Sequence, residues 1–183
     1  DIDCQFDEIV FSTHVSEGAY LTGRFFGAYL SLMLVLSGAT LGMLFSNFWL
    51  VWTPASVGET HIAYYATAYF LFSAPTMLIL TALISSALVV FGSSIYAYAG
   101  VAVLLICSPL GSITRGFSGP IASTIDPFLF AAFTEQTRYW TPAELNSIGT
   151  SYGAPVLQNR LLWIAVATAL VLLARRSFSF RST

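Results

Sequence analysis

Few side chains in this sequence carry groups suited to catalysis or metal binding. Three carboxylates, Asp126, Glu135 and Glu144, share one polar stretch, but nothing in their spacing defines a general acid and base pair. The sequence contains no HExxH, GxSxG or phosphate-binding glycine loop. His14 and His61 lack further ligands at metal-binding spacing. We therefore expect no catalytic, cofactor or metal site in this chain, and we do not predict an enzyme.

Arg160 is the basic residue with the clearest alternative roles. It lies close to the start of the last apolar stretch of the sequence. Its guanidinium could bind an anionic substrate. It could equally extend to the lipid headgroups and have no chemical role, which is the interpretation we favour.

The composition is that of a membrane protein. Of 183 residues, 56% are hydrophobic and 9% are charged, whereas a typical soluble domain has about 25% charged residues. A soluble protein needs more charge to cover its surface, so the composition predicts a membrane protein. The net charge of −2 gives no reason to expect a nucleic-acid partner, because such partners require clustered positive charge.

Long runs without charge predict transmembrane helices. The first run has 21 residues, which makes about 31 Å of helix and matches the hydrocarbon thickness of a bilayer. We therefore predict an all-α, polytopic membrane protein with about four transmembrane helices and an N-terminal amphipathic elbow helix. The predicted spans are residues 25–45, 63–91, 95–110 and 157–174.

Glycine and proline residues predict details of these spans. Gly38 and Gly42 form a small-xxx-small pair, which would let another helix approach closely. Pro75 predicts a kink in the second span, and the tyrosine-rich part before it could form a separate interfacial helix. The turn into the third span is predicted at residues 92–94.

The arginines predict the orientation. Four spans place both ends of the sequence on one side of the membrane. Arg24, Arg175 and Arg176 lie on that side, against Arg115 and Arg160 on the other. Because arginine is enriched on the cytosolic side, the pattern favours cytosolic termini. The predicted regions are a cytosolic helix at 1–15, a transmembrane domain at 16–174 with an outer segment at 111–155, and a cytosolic tail at 175–183.

Residues 1–15 predict a short amphipathic helix, because apolar residues recur at helical spacing with acidic residues between them. The polar residues at 12–14 interrupt that pattern. Ser16 is then a good N-cap, and Glu17 lies in the first turn of the next helix, where its charge suits the helix dipole. Two roles stay open for the short helix: it lies on the membrane surface, or it binds a cytosolic partner.

The stretch at 126–146 predicts two short helices. Asp126 can cap the first, with Pro127 at its first helical position. Thr141 and Glu144 have the spacing of a capping box at the start of the second. We expect both helices to lie on the outer surface, with a role in substrate gating as the alternative.

Charged and aromatic side chains lie between these two predicted helices. Glu135 and Arg138 are three residues apart and could form an ion pair on one helix face. Tyr139 and Trp140 are residue types that favour the level of the lipid headgroups. These side chains also place the outer segment at the membrane surface.

The residues around the interruption at 12–14 resemble a known family. In type-2 ABC exporter permeases, an acidic, leucine-rich helix is followed by Ser/Thr-Pro-Val-Ser and then by Tyr-Leu-Leu-Gly-Lys/Arg. Here His14 stands in place of the proline and Thr22 in place of a leucine. The residues that match are Glu8, Ser12, Thr13, Val15, Ser16, Tyr20, Leu21, Gly23 and Arg24.

The C-terminal third of the sequence resembles the same family. It is similar to the end of the permease module in a bacterial subgroup whose members are often fused to a zinc aminopeptidase-like domain. Together the two matches bracket nearly the whole chain. The residues of the second match are Asp126, Pro127, Thr137, Arg138, Tyr139, Trp140, Thr141, Glu144, Asn159, Arg160, Leu161, Trp163, Arg175 and Phe178.

The resemblance implies a six-span module in the bacterial cytoplasmic (inner) membrane. The four predicted spans would be its third to sixth, so this chain looks like a fragment that lacks the first two. The partners implied are a cytosolic ABC ATPase, which would hydrolyse ATP, a second permease module and the lipid bilayer. The implied ATPase-coupling elbow comprises Asp7, Glu8, Phe11, Ser12, Thr13, Val15, Ser16 and Arg24.

The function we expect from this resemblance is that of a permease subunit in an ATP-driven exporter. Movement of the ATPase would pass through the elbow into the first span and drive substrate outward. The alternative is a membrane anchor for a fused or associated extracytoplasmic peptidase-like domain, without transport. A channel is a weaker alternative, because the spans carry no ring of charged residues.

Overall fold

A computed structural model describes residues 16–49, 60–113, 120–147 and 152–178 of this chain. Within these ranges the backbone forms helices and the turns that connect them, which confirms the predicted all-α class. The predicted amphipathic helix at 1–15 and the end of the predicted tail lie outside the described residues. The helices are α1 (Glu17–Trp49), α2 (Ile62–Thr67), a π-helical segment (Ala68–Ser73), α3 (Ala74–Phe91), α4 (Ser94–Ile113), α5 (Pro120–Ile125), α6 (Phe130–Thr137), α7 (Pro142–Ser147) and α8 (Ala154–Ser177).

Three stretches of helix are long and apolar enough to cross a membrane. They have 31, 30 and 24 residues, and at about 1.5 Å per residue each exceeds the hydrocarbon thickness of about 30 Å. The apolar part of α4 is shorter, so the predicted fourth span stays a prediction. The three stretches are Glu17–Asn47, Ile62–Phe91 and Ala154–Ser177.

The second of these stretches is one uninterrupted helix. The backbone keeps right-handed helical angles from Thr67 to Ala74, so the tyrosine-rich part continues directly into α3 and is not a separate interfacial helix. Pro75, which has no N–H to donate, follows directly after the π-helical segment. Widening the helix into a π turn is one way in which a helix accommodates a residue that cannot complete the regular ladder.

Small side chains bring α3 and α8 together at the centre of the fold. Ala82 of α3 and Ala167 of α8 are buried in one apolar cluster with Ile79 and Phe25. Alanine at such a contact lets two helix backbones approach closely, which drives packing where no water is displaced. Gly92 ends α3 with a φ of 66°, and its N–H bonds to the carbonyl of Leu88 at 3.0 Å. This confirms the predicted turn into α4.

Helix α1 lies at the edge of this arrangement. None of its most apolar stretch is buried, against 22% for each of the other two long stretches. A Cβ added at Gly38 or Gly42 would meet nothing within 4 Å, so no described helix makes the close approach that this pair would allow. Polar bonds hold α1 to the second stretch instead. They are Tyr69 Oη to the Met33 carbonyl (2.7 Å), Asn47 Nδ2 to Tyr65 Oη (2.6 Å) and Tyr29 Oη to the Ala74 carbonyl (3.4 Å).

The start of α1 lies beside the end of α8. The rings of Tyr20 and Phe178 stack with their centroids 6.0 Å apart. A Cβ added at Gly18 would lie 2.9 Å from Nη2 of Arg175, so the guanidinium lies directly against the backbone of α1 at this position. The two ends of the described chain therefore meet at the same end of the helices, as the orientation prediction requires.

Candidate functional site

Three polar residues form a buried junction where the outer segment meets α8. Asp126, Asn159 and Arg160 are only 6%, 0% and 3% exposed. Burying such groups is unfavourable unless hydrogen bonds replace their contacts with water. We call these three residues the outer junction, and their partners explain its geometry.

Asn159 caps the C-terminal end of α5. Its Nδ2 group donates to the carbonyls of Ser123 (2.7 Å), Thr124 (3.2 Å) and Asp126 (2.8 Å). The last carbonyls of a helix have no partner within the helix, so a side chain that reaches them completes the structure. Trp163 adds a bond from Nε1 to the Thr124 carbonyl at 3.2 Å. The second and third turns of α8 therefore hold the end of α5.

Arg160 connects two distant parts of the chain. Its Nη1 donates to the carbonyl of Pro127 at 3.2 Å, and its Nη2 donates to the carbonyl of Phe72, at the end of the π-helical segment, at 3.4 Å. The negative charge of Asp126 also attracts the guanidinium. The preferred sequence interpretation, a side chain extended to the headgroups, is wrong, because the residue is buried against protein backbone. Both terminal nitrogens of the guanidinium donate to carbonyls, so few of its N–H groups remain to bind an anionic substrate.

Asp126 organises the start of α6. Its Oδ1 accepts from the N–H of Phe128 at 2.9 Å, and its Oδ2 accepts from the N–H of Ala131 at 2.8 Å. The Asp126 carboxylate therefore binds the first turn of α6, but the predicted helix start is wrong: the helix begins at Phe130 with Leu129 at the N-cap position, and Pro127 lies in the preceding turn. The intervening turn places Leu129 at a φ of 71°, which is unfavourable for a residue with a side chain.

Burial holds Leu129 in this conformation. Its side chain is fully buried in a cluster with Ala132 and Val156, next to Phe72 and Tyr152. Burying a leucine side chain stabilises a fold by about 1.5–3 kcal/mol, more than the roughly 1–2 kcal/mol that the left-handed backbone costs. The cluster therefore fixes the turn that aims the Asp126 carboxylate at α6.

Two aromatic rings of the outer segment pack against Phe72 of the π-helical segment. The ring of Phe72 lies edge-on to Phe133 at 5.6 Å and to Tyr152 at 5.2 Å. Partial burial raises the pKa of the Tyr152 hydroxyl above its ordinary value of 10.0, so this group stays neutral near pH 7. Nearby, Gln136 accepts the N–H of Gly153 on Oε1 at 3.1 Å and connects α6 to the start of α8.

The other predicted residues of the outer segment lie apart from the junction. Arg138 and Glu135 are both exposed, and the Arg138 guanidinium lies 5.5 Å from the ring centroid of Tyr139 instead of forming the predicted ion pair. Tyr139 is 82% exposed, and Trp140 is partly buried.

The predicted capping box at α7 is confirmed. Glu144 Oε2 accepts from the Thr141 N–H at 2.7 Å and from the Thr141 hydroxyl at 2.8 Å, while the Glu144 N–H donates back to Oγ1 at 3.3 Å. These bonds to Thr141 lower the pKa of the Glu144 carboxyl below its ordinary value.

Two residues of the predicted elbow are described. Ser16 accepts the Ala19 N–H on its hydroxyl at 3.3 Å and so caps α1, as predicted. Arg24 donates from Nη1 to the Tyr20 hydroxyl at 2.6 Å and lies over that ring. The remaining residues of the predicted elbow lie outside the described residues; they are Asp7, Glu8, Phe11, Ser12, Thr13 and Val15.

Sequence reasoning missed several partners of the outer junction. Phe72 and Trp163 were not singled out as partners, because nothing local relates them to the outer junction. One signal was present: two strongly polar residues stand side by side in the second turn of an apolar helix, and polar residues there face protein more often than lipid. Among the side chains that the structure describes, no three His, Cys, Asp or Glu residues are grouped to hold a metal ion.

No protein-family model, curated protein or solved structure matches this chain. The resemblance to type-2 exporter permeases therefore rests on the residues quoted for it.

Proposed function

We propose that this chain is a membrane-spanning permease subunit of an ATP-driven exporter of the type-2 class. The observation that carries the proposal is the continuity between the elbow motif and α1. The motif runs through Ser16, which caps α1, and through Arg24, which is ordered against Tyr20 one turn earlier. A partner that moves the elbow would therefore move a capped, continuous helix of 33 residues.

The exposure of α1 supports a transmitting role. Its most apolar stretch buries nothing, whereas the central helices are packed against one another. Beyond Phe25 in the central cluster and the contacts at its start, α1 is held by three tyrosine hydroxyl contacts, so its outer part can change position with less loss of packing than the central helices. Coupling requires an element with two positions that a partner can bias, and α1 suits this requirement best among the long helices.

The contact between α1 and α8 supports a shared movement at the proposed cytosolic side. Tyr20 stacks on Phe178, and Gly18 lies against Arg175. Arg24, Arg175 and Arg176 lie at this same end, and we propose that it faces the cytosol of a bacterial cell. The proposed partners are a cytosolic ABC ATPase at the elbow and a second permease module in the membrane, for which the exposed glycines of α1 leave room.

Charge reversal in the elbow tests the proposal. The variant with Asp7→Lys and Glu8→Lys should insert into the membrane normally, because no apolar span is changed. ATP hydrolysis that co-purifies with the protein from native membranes, measured as the vanadate-sensitive part, should fall to background. Glu135→Lys, a charge reversal on the exposed face of α6, is the control and should leave hydrolysis unchanged. Normal hydrolysis in the elbow variant would refute the proposal.

One observation favours the alternative of a membrane anchor. The outer junction fastens the outer segment to α8 with buried hydrogen bonds, and a rigid outer face suits the attachment of an extracytoplasmic domain. The same purification separates the two functions. Vanadate-sensitive hydrolysis that depends on the elbow supports transport, whereas a preparation without any ATPase supports the anchor.

A further inference from the structure

The π-helical segment is a point where the second long helix is held by side chains. The carbonyl of Phe72 accepts from Thr76 Oγ1 at 2.7 Å and also from Arg160 at 3.4 Å. The carbonyl of Ala68 accepts from Ser73 Oγ at 3.2 Å. Pro75 has no N–H, so the carbonyl of Leu71, four residues earlier, lacks its regular helical donor, and the side-chain bonds of Ser73 and Thr76 add to the backbone ladder on either side of that position. Side-chain bonds of this kind can be exchanged without unfolding the helix.

The hydrogen bonds of Arg160 are incomplete in this arrangement. Within the described part of the chain, its Nε and the Oδ1 of Asn159 are buried without a hydrogen-bond partner. Its two hydrogen bonds to backbone carbonyls, at 3.2 and 3.4 Å, are long for a charged donor, whose usual distance is about 2.7–2.9 Å. An unpartnered buried donor is unfavourable, so the observed arrangement holds Arg160 less firmly than a fully bonded guanidinium would be held.

The same guanidinium joins the π-helical segment to the outer segment. One terminal nitrogen bonds to Phe72 and the other to Pro127. The Phe72 ring also packs against Phe133 of α6 and Tyr152 before α8. A change in the π-helical segment would therefore alter the contacts of both the Phe72 carbonyl and the Phe72 ring.

We propose that the π-helical segment is a hinge in the second long helix, and that Arg160 is the positioning residue that holds it to the outer segment. In the observed state Arg160 bonds to the Phe72 carbonyl. In the second state that bond is broken, and of these two side chains only Thr76 still donates to the Phe72 carbonyl. The part from Ile62 to Ser73 then moves relative to α3. The hinge concerns a motion of this chain alone and does not depend on the proposed transport function.

Cross-linking of two cysteine pairs in membranes tests the hinge. The upper pair, Asn47→Cys with Tyr65→Cys, joins α1 to the part of the second long helix that precedes the π-helical segment. The two native side chains are in contact there. The lower pair, Leu83→Cys with Gly100→Cys, joins α3, which follows the π-helical segment, to α4. A Cβ at position 100 would be 3.4 Å from Cδ2 of Leu83. Both are measured with a bifunctional thiol reagent, in the full chain with its native cysteines replaced by serine.

In the Arg160→Met variant we expect the cross-linking rate of the upper pair to fall about tenfold, the change expected for losing about 1.4 kcal/mol of hydrogen bonding. The lower pair should keep its rate. Arg138→Met removes an exposed arginine from the outer segment and should change neither pair. An unchanged upper pair would overturn the proposal, and so would an equal fall in both pairs.

Pro75→Ala provides a second variant in case Arg160→Met does not reach the membrane. Alanine adds a backbone N–H, which lets regular α-helical hydrogen bonds form through this segment. Loss of the π turn would rotate the part of the helix before α3 by about 100°. The upper pair should then lose cross-linking while the lower pair keeps it. If Pro75→Ala leaves the upper pair unchanged, the π-helical segment is not a hinge.

Discussion

Replacing Asn159 with leucine should loosen the outer segment from α8. The side chains have similar size, so the change removes the Nδ2 donor group and leaves no cavity. The carbonyls of Ser123, Thr124 and Asp126 each lose that donor. The Thr124 carbonyl keeps a second described donor in Trp163, and the Asp126 carbonyl keeps one in the backbone N–H of Leu129.

The expected loss of stability follows from the two hydrogens on Nδ2. Hydrogen bonds between helices in membrane proteins contribute about 0.6 kcal/mol on average and about 1.7 kcal/mol at most. Because Asn159 is fully buried and its two shortest bonds are 2.7 and 2.8 Å, we place both near the upper part of that range. The free energy of unfolding should therefore fall by about 2–3 kcal/mol.

The assay is equilibrium unfolding in mixed micelles with increasing SDS, followed by circular dichroism. Gln158→Leu is the matched control, because it removes the same amide group from the neighbouring exposed position. A surface substitution of this kind usually changes stability by no more than about 0.5 kcal/mol. If the variants at positions 158 and 159 unfold at the same SDS fraction, the capping role of Asn159 is refuted.

Three other predictions concern the outer segment and the orientation. Leu129→Gly should be more stable than Leu129→Ala by about 1 kcal/mol in the same unfolding assay, because both lose the buried side chain but only glycine relieves the positive φ; the opposite order would contradict the strain argument. The bonds to Thr141 lower the pKa of the Glu144 carboxyl. The capping box therefore stabilises α7 fully at pH values above 4.5, the ordinary pKa of the carboxyl, and this stabilisation is lost as the pH falls through the lowered pKa of the folded protein. Thr141→Val keeps the backbone N–H bond and removes the hydroxyl bond, so carbon-13 titration should show the Glu144 pKa rising part of the way to its ordinary value; an unchanged value would exclude the hydroxyl bond as a cause. In intact cells an impermeant thiol reagent should label Tyr139→Cys and not Arg176→Cys; labelling of both, or the reverse, would exclude the proposed orientation.

Local features of the fold were predictable from the sequence. Ser16 caps α1, Thr141 and Glu144 form a capping box, and Gly92 ends α3 in a left-handed conformation. Each depends on hydrogen bonds between residues only a few positions apart. The apolar helices were also predictable, because length and hydropathy alone decide whether a helix can cross a bilayer.

Features that depend on distant partners were not predictable. The tyrosine-rich part of the second span was expected to form a separate helix, but the structure continues it into α3 through a π turn in which side chains of Ser73 and Thr76 donate to backbone carbonyls. Arg160 was expected at the headgroups, yet it is buried against Phe72, which is 88 positions away in the sequence. Nothing near Arg160 in the sequence indicates that carbonyl.

Composition and hydropathy were enough to predict a helical protein with membrane-spanning potential, and capping residues were enough to predict where several helices begin and end. Those properties follow from composition, periodicity and capping, which act within a few residues of one another. The partners of Asn159 and Arg160, the positive φ of Leu129 and the exposed face of α1 emerge only when the helices pack. A buried polar group needs a hydrogen-bond partner, and the packing of distant helices defines which group that is.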